Sequence, residues 1–227
     1  MIKTVIFDID NTLYSFDNAH ETAFKKLSEY AEKALGLSRE TFEKLHIETG
    51  NELKKIMGDV AAVHNRTIRF QNMLERRGLP LCPHVLEMDR IYWDTLIGEA
   101  KVSPGALELM KGLKKRGIRI GIGTDMTARI QFRKLEKLGL LPYVDFLVSS
   151  EEVGAEKPAA ALFARCVEKA GCRAQECLFV GDSLKKDVFG PVAAGLKAVW
   201  YCPKGYEAEP DVMQISELMQ VFQIVSE

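Results

Sequence analysis

Five short apolar runs, separated by longer segments of helical periodicity, constrain the fold of this chain more than any other feature of its sequence. Each run is rich in β-branched or aromatic residues and is bounded by Gly or polar residues. This pattern is typical of a strand that is buried on both faces of a sheet. The runs are TVIFDI (4–9), IRIGIGT (118–124), VDFLVSS (144–150), ECLFVGDS (176–183) and KAVWYC (197–202).

The segments between the later runs have the periodicity of amphipathic helices. They predict helices over 105–117, 127–140 and 160–171, each with a Gly at or next to its end. Strands that alternate with helices predict a parallel sheet joined by right-handed crossovers. We therefore expect an α/β fold whose core is a Rossmann-like parallel sheet with helices on both faces.

Residues 15–97 interrupt this alternation. They contain no pattern of a buried strand, and their apolar spacing predicts several amphipathic helices instead. We expect a core domain built from residues 1–14 and 98–227, with residues 15–97 forming an inserted α-helical domain.

The composition narrows the possible partners and the compartment. With 31 Lys and Arg against 32 Asp and Glu, the net charge is −1, so no global field attracts nucleic acid or an anionic membrane. The five Cys lack CxxC spacing, which argues against a disulfide framework or a zinc site. The N-terminal segment lacks the apolar run of a signal peptide, and no run is long enough to span a membrane. These features predict a cytoplasmic protein that captures any anionic substrate at a local site.

Polar side chains follow three of the predicted strands at the point where each strand ends. Asp8 and Asp10 follow the first run, Thr124 and Asp125 follow the second, and Asp182 comes directly after Gly181 in the fourth. The carboxyl ends of parallel strands meet at one edge of a sheet, where ligands bind in open α/β folds. We therefore expect these side chains to lie close together.

Such a group of side chains suits phosphate chemistry. Several clustered carboxylates cannot all ionise unless a cation compensates them, and ligand sets made only of oxygen favour Mg²⁺. The Thr124 hydroxyl and the Lys157 ammonium group suit the non-bridging oxygens of a phosphate. A carboxylate can attack phosphorus to form an acyl phosphate, while a second acid protonates the leaving alkoxide and then activates water.

The segments DIDNT, a Thr closing the second run, EKP and GDSLKKD occur in this order along the chain. They resemble the four motifs of the haloacid dehalogenase superfamily of phosphohydrolases, and the helical insertion resembles the α-helical cap of that superfamily. The resemblance implies that Asp8 is the nucleophile and a Mg²⁺ ligand. It implies that Asp10 is the general acid and base, with its backbone carbonyl at the metal.

The same resemblance assigns roles on the other strands. Thr124 and Lys157 would bind phosphate, and Asp182 would be a metal ligand. Asp187 would orient the metal-bound waters or Lys157. Many relatives have Asn-Gly after the second-motif residue, whereas this chain has Asp125-Met126. We expect the Asp125 backbone N–H to bind phosphate. Its side chain must avoid repelling the phosphate, either by pointing away, by pairing with Lys157 or Arg129, or by capping the helix that begins near Thr127, and we favour the cap.

The acid at position 10 separates branches of this superfamily, because the dehalogenating members lack an acid there. The resemblance therefore implies a phosphomonoester hydrolase acting on a nucleotide, a sugar phosphate or a compound like phosphoglycolate. A phosphomutase shares every core motif and is the first alternative, and a non-catalytic binding protein of the same fold is the second. Both a monomer and a homodimer are compatible with the sequence.

Residues of the inserted domain are the candidates for substrate specificity. Arg66 and Arg69 lie three apart on one face of a predicted helix, and His64 precedes them. Any of the three could contact substrate or help the cap to close. The alternative is a surface helix with ordinary solvated arginines.

Overall fold

The computed structural model describes residues 1–203, 205 and 211–226, and the chain divides into two compact units. The core unit comprises residues 1–15 and 101–227, and the helical unit comprises residues 16–100. The first boundary follows residue 15 where the sequence predicted 14, and the second follows residue 100 where it predicted 97.

The core unit contains a parallel sheet of six strands in the order β3-β2-β1-β4-β5-β6. This confirms the predicted fold class. The added strand β6 has two residues, which is too short to produce a recognisable sequence pattern. The strands are β1 (Thr4–Phe7), β2 (Arg119–Thr124), β3 (Phe146–Ser149), β4 (Cys177–Gly181), β5 (Lys197–Tyr201) and β6 (Gln214–Ile215).

Helices connect the strands of the core unit and form the whole of the helical unit. Those of the helical unit are α1 (Phe16–Leu35), α2 (Arg39–Met57), α3 (Arg66–Arg76) and α4 (His84–Glu99). Those of the core unit are α5 (Ala106–Lys115), α6 (Ala128–Lys137), α7 (Ser150–Val153), α8 (Ala160–Ala170), α9 (Gly190–Ala193) and α10 (Val221–Ser226). A π-helix spans Leu184–Phe189, directly after the fourth-motif aspartate.

The packing of α8 illustrates how the sequence pattern forms the core. Leu162, Phe163 and Cys166 lie on one face of the helix and are fully buried against the sheet. The ring of Phe163 meets that of Phe179 from β4 edge to face, with the centroids 5.5 Å apart. The helix ends at Gly171, whose φ of 66° lies in the left-handed region that glycine tolerates best.

Two helices of the helical unit begin at side chains that cap their first turn. Ser38 accepts a hydrogen bond from the backbone N–H of Thr41 at the start of α2, and Asn65 accepts one from Ile68 at the start of α3. Such caps satisfy backbone donors that have no partner within the helix. Across the described residues, no helix has both the length and the apolar character that crossing a bilayer requires.

Replacing Phe163 by Ala removes a fully buried ring from the contact between α8 and the sheet. We expect the free energy of unfolding to fall by about 3–5 kcal/mol, because a cavity adds to the lost burial of the ring. Urea denaturation followed by far-UV circular dichroism measures the change. Phe132→Ala is the matched control, since Phe132 is 44% exposed and its loss should cost less than about 0.5 kcal/mol. Equal losses in the two variants would contradict this account of the core.

Candidate active site

The order of the strands brings three motif segments to one edge of the sheet. β1 lies between β2 and β4, and Phe7 pairs with Ile122 on one side and with Val180 on the other. The backbone N–H of Asp8 continues this pairing by donating to the carbonyl of Val180 over 3.0 Å. Asp8 and Asp182, which follow β1 and β4, therefore share one edge with Thr124, the last residue of β2.

Lys157 is the cation at the centre of this edge. Its Nζ lies 2.7 Å from Oδ1 of Asp8 and 2.7 Å from Oδ1 of Asp187. All three side chains are buried, and Lys157 is only 3% exposed. Burial opposes the charge of Lys157, but Asp187 and Asp8 outweigh burial and raise the pKa of the ammonium group. Lys157 therefore stays charged and holds both carboxylates in place.

The loop after β4 is shaped to admit Asp187. A Cβ at Gly181 would lie 2.5 Å from the carboxyl carbon of Asp187, so this position requires glycine. The other carboxylate oxygen of Asp187 accepts the backbone N–H of Ser183 over 3.0 Å. The indole N–H of Trp200 donates to the backbone carbonyl of Asp182 over 2.7 Å, which fixes the loop against β5.

Asp8, Asp182 and Asp187 offer carboxylate oxygens that lie within 4.8 Å of one another. Burial above all, together with Asp187, Asp10 and Asp182 and against the opposing charge of Lys157, raises the pKa of Asp8 to about 8. Burial, with a further contribution from Asp187, raises the pKa of Asp182 to about 6. A cluster that contains oxygen ligands only, in which Asp8 and Asp182 resist ionisation, is suited to a hard divalent cation such as Mg²⁺.

Asp10 lies in a different electrostatic environment from Asp8. The ammonium group of Lys134 donates to both of its carboxylate oxygens, over 2.6 and 2.9 Å, and the hydroxyl of Tyr14 donates to Oδ1. Burial opposes ionisation of Asp10, but the charge of Lys134 and the hydrogen bonds outweigh burial and lower the pKa of the carboxyl group. Each aspartate of the first motif thus forms an ion pair with a different lysine, Asp8 with Lys157 and Asp10 with Lys134.

Sequence reasoning missed Gln131 and Lys134, both of which are fully buried on α6. The amide of Gln131 donates to Thr124 Oγ1 over 2.7 Å and to Asp10 Oδ2 over 3.3 Å, so it links two motifs. One signal was present in the sequence. On this amphipathic helix a Gln and a Lys share the apolar stripe with Leu135, while Phe132 lies on the exposed face.

The expected capping role of the Asp125 side chain is wrong. Its Oδ1 accepts the backbone N–H of Lys157 over 2.9 Å, and its Oδ2 accepts Lys186 Nζ over 2.8 Å. The first backbone N–H of α6, that of Ala128, donates to Oε2 of Glu151 over 2.9 Å, and Thr127 at the N-cap makes no side-chain hydrogen bond to the helix. A charged partner and a backbone donor bind the carboxylate more strongly than a single helix N–H would. Asp125 therefore ties the second motif to the third.

The comparisons with known proteins agree with this geometry. The family profile of the haloacid dehalogenase-like hydrolases matches residues 2–195. This chain belongs to the haloacid dehalogenase-like hydrolase family. The match confirms the resemblance predicted from the four motifs.

Three similar proteins illustrate the relationship of this haloacid dehalogenase-like hydrolase to others. Ribulose-1,5-bisphosphate 5-phosphatase of Halopiger xanaduensis is 35% identical over 89% of this chain and 86% of its own length. Glyceraldehyde 3-phosphate phosphatase of Methanopyrus kandleri is 31% identical over 88% of this chain and 83% of its own. The crystal structure of a phosphatase from Thermococcus onnurineus has a TM-score of 0.78 at 26% identity, covering 99% of this chain and 98% of that one.

The residue after Asp125 has an unusual backbone conformation. Met126 adopts a φ of 87°, in the left-handed region that glycine tolerates best. Its backbone N–H donates to the hydroxyl of Ser150 over 2.8 Å. Holding a methionine in this conformation costs of order 1–3 kcal/mol, so the chain keeps backbone strain beside the second motif.

The candidates His64, Arg66 and Arg69 all lie in the helical unit. Arg66 is only 6% exposed, so the interpretation of ordinary solvated arginines is wrong for this residue. Arg69 is partly buried, and one of its guanidinium nitrogens lies 3.4 Å from Nε2 of His46. His64 ends a short 3₁₀ segment, Ala61–His64.

Replacing Lys134 by Met leaves the Asp10 carboxylate without its lysine. Because the Asp10 side chain keeps 27% exposure, we expect a loss at the lower end of the range for a buried pair, roughly 3 kcal/mol near neutral pH. The pair stabilises the fold above the unfolded-state pKa of Asp10, and this contribution is lost as the pH falls through the lowered folded-state pKa. The difference from wild type should therefore shrink below about pH 4.

Urea denaturation at several pH values measures this effect. Lys137→Met on the same helix is the control, because Lys137 is exposed. In an Asp10→Asn background, Lys134→Met should cost clearly less. A cost that is the same in both backgrounds and at every pH would show that Lys134 does not act through Asp10.

Proposed function

We propose that this chain is a Mg²⁺-dependent phosphomonoester hydrolase that works through an aspartyl phosphate formed on Asp8. The predicted class of phosphomonoester hydrolase is confirmed by the family match together with the phosphatase relatives. The observation that carries the mechanism is the placement of Asp8, 2.7 Å from the buried ammonium group of Lys157 and within the acidic cluster.

Each residue of the edge then has a defined role in the first step. Lys157 orients the carboxylate of Asp8, which attacks phosphorus and displaces the alkoxide. Thr124 Oγ1 accepts the amide of Gln131 over 2.7 Å and donates to the backbone carbonyl of Asp125 over a longer 3.3 Å, so its hydroxyl would turn from that carbonyl to a phosphate oxygen when substrate binds. The backbone N–H of Asp125 adds a second donor. Bound at Asp8, Asp182 and the backbone carbonyl of Asp10, with Asp187 nearby, Mg²⁺ would offset negative charge on the carboxylates and the phosphoryl group.

Asp10 carries the proton in both steps. At rest Lys134 keeps it ionised, and the negative charge of a bound phosphomonoester raises its affinity for a proton. Protonated Asp10 donates to the leaving alkoxide, and the resulting carboxylate then accepts a proton from the water that hydrolyses the acyl phosphate. An alkoxide needs this proton and a halide does not, so an acid at position 10 supports phosphate chemistry over dehalogenation.

The proposed substrate is a small phosphorylated metabolite of the carbohydrate type. Two phosphatase relatives at 35% and 31% identity act on ribulose 1,5-bisphosphate and glyceraldehyde 3-phosphate. A phosphate-release screen with Mg²⁺ and with EDTA should include both compounds, a pyrimidine nucleotide and phosphoglycolate. We also propose that the protein acts in the cytoplasm, because all five of its cysteines are free thiols, as in proteins of a reducing compartment.

Asp8→Asn should lower phosphate release from p-nitrophenyl phosphate in the presence of Mg²⁺ by at least about 1,000-fold, because an amide cannot attack phosphorus. Circular dichroism checks that the fold is intact. Asp59→Asn is the control, since the Asp59 side chain is 73% exposed in the helical unit. Turnover close to wild type in Asp8→Asn would overturn the mechanism. Isomerised product without free phosphate from a sugar 1-phosphate would instead identify a phosphomutase.

The affinity for Mg²⁺ should rise as the pH increases from about 5.5 to about 8, because protons compete with the cation at Asp8 and Asp182, whose pKa values are raised to about 8 and about 6. Because the two carboxyl pKa values are raised, the free energy of unfolding of the metal-free protein falls as the pH rises through this range. The increase in the free energy of unfolding that Mg²⁺ binding produces should therefore grow over the same range. Titration calorimetry and thermal melts at each pH measure both effects. Asp182→Asn should flatten the dependence. A pH-independent affinity of the wild-type protein would contradict this account of the cluster.

A further inference from the structure

Two arginines in the interior of the helical unit have guanidinium nitrogens without partners. Arg66 is 6% exposed, and its Nη2 donates to the hydroxyl of Tyr92 over 3.2 Å. Its Nε and Nη1 are buried and form no hydrogen bond with any residue that the structure describes, and the same holds for Nε of Arg69. The two residues lie one turn apart on α3, so both side chains project from the same face of the helix.

No carboxylate of the described residues compensates this pair. Neither guanidinium has an acidic oxygen of these residues within 4.0 Å, whereas Arg76 on the same helix pairs with Glu52 over 2.8 Å. Burial and then the charge of Arg66 together lower the pKa of Arg69 to about 10. Burial and then the two arginines lower the pKa of His46 to about 2, so this neighbour is neutral and adds no negative charge.

The surroundings of the pair are aromatic and neutral. The Arg66 guanidinium carbon lies 4.8 Å from the centre of the Tyr92 ring, and the Tyr92 hydroxyl is also hydrogen-bonded to Nδ1 of His20 over 2.8 Å. The guanidinium of Arg69 reaches His46 Nε2 and the carbonyl of Val63 at 3.4 Å each. These contacts orient the two guanidinium groups without neutralising them.

A glycine in α2 makes room for this arrangement. A Cβ at Gly50 would lie 3.0 Å from Cζ of Arg69 and 3.2 Å from each terminal nitrogen. Gly in the interior of a helix costs about 1 kcal/mol relative to Ala, so α2 is weakened at the point where the guanidinium packs against its backbone. Apolar residues at the two arginine positions would avoid the cost of burying uncompensated charge. The glycine in α2 and the uncompensated charge both indicate that the two arginines bind a ligand and are not purely structural.

We propose that Arg66 and Arg69 form an oxyanion site in the helical unit, which takes a phosphate or carboxylate group of a small metabolite. Two neighbouring guanidinium groups present paired N–H donors that match the oxygens of such a group. The anion is either a free ion or the phosphate or carboxylate group of a small metabolite that binds within the helical unit. The proposal therefore goes beyond the function proposed for the core unit and does not depend on it.

The first experiment titrates inorganic phosphate into the full chain carrying Asp8→Asn, which prevents turnover, and measures binding by titration calorimetry. We expect a binding event that Arg66→Gln and Arg69→Gln each weaken at least about tenfold. Arg77→Gln is the matched control, because Arg77 is an exposed arginine at the end of the same helix and should retain the affinity.

The second experiment separates the two sources of the anion. Inorganic phosphate and ribulose 5-phosphate are compared in the Asp8→Asn protein, with and without Arg69→Gln, by the rise in melting temperature that each compound causes. If the anion is a free ion, inorganic phosphate alone raises the melting temperature by more when Arg69 is present. If it is the phosphate group of a metabolite, only ribulose 5-phosphate shows this difference. Either result supports the site. Absence of both effects, or equal effects in Arg77→Gln and Arg69→Gln, overturns it.

Two further variants exclude a purely structural role. Arg69→Met removes uncompensated charge, so without ligand its melting temperature should equal or exceed that of wild type; a marked decrease would indicate a structural arginine and overturn the proposal. Gly50→Ala raises helix propensity but crowds the guanidinium of Arg69, so the anion effect should fall while the fold persists. These binding measurements do not depend on turnover. Failure of the hydrolase proposal would appear instead as no phosphate release from any compound of the screen.

Discussion

The core unit depends on one buried cation at the edge of its sheet. Lys157 lies between Asp8 and Asp187 at 2.7 Å from each, in a region where an unpaired charge would be strongly destabilising. Other features of the edge serve this contact. Gly181 gives Asp187 the space to approach, and Asp125 binds the backbone N–H of Lys157. Each motif is therefore held by contacts with another motif and not only by its own strand.

Contacts with other segments also explain why two aspartates only two residues apart have pKa values shifted in opposite directions. Asp8 faces the acidic cluster, where burial and neighbouring carboxylates raise its pKa to about 8. Asp10 faces Lys134, whose charge overcomes burial and lowers its pKa. The different surroundings come from one lysine in a loop and one on α6, each beside one of the two carboxylates. The proposed roles need an ionised Asp8 and a protonated Asp10, and a bound cation and a bound phosphomonoester would move the two pKa values in these directions.

The two units differ in whether their buried positive charges are paired with carboxylates. In the core unit Lys157 and Lys134 are both neutralised by carboxylates at hydrogen-bonding distance. In the helical unit Arg66 and Arg69 have aromatic and neutral partners instead. A compensated lysine organises a site from within the protein, whereas an uncompensated guanidinium pair is stabilised when an anion arrives. From this contrast we infer that the helical unit takes part in anion recognition, separately from the chemistry proposed for the core unit.

The sequence by itself determined the parallel sheet, the helical insertion and the edge where Asp8, Thr124 and Asp182 meet, because strand periodicity and the rule for strand ends are local or depend only on chain order. It also allowed the family to be identified from ordered motifs. Only the tertiary structure decided which charges pair. Lys134 lies 124 residues from Asp10, and the partners of Asp125 come from two other segments. Burial likewise distinguished Arg66 from an exposed arginine, since electrostatic partners and solvent exposure depend on packing between distant segments that no local pattern records.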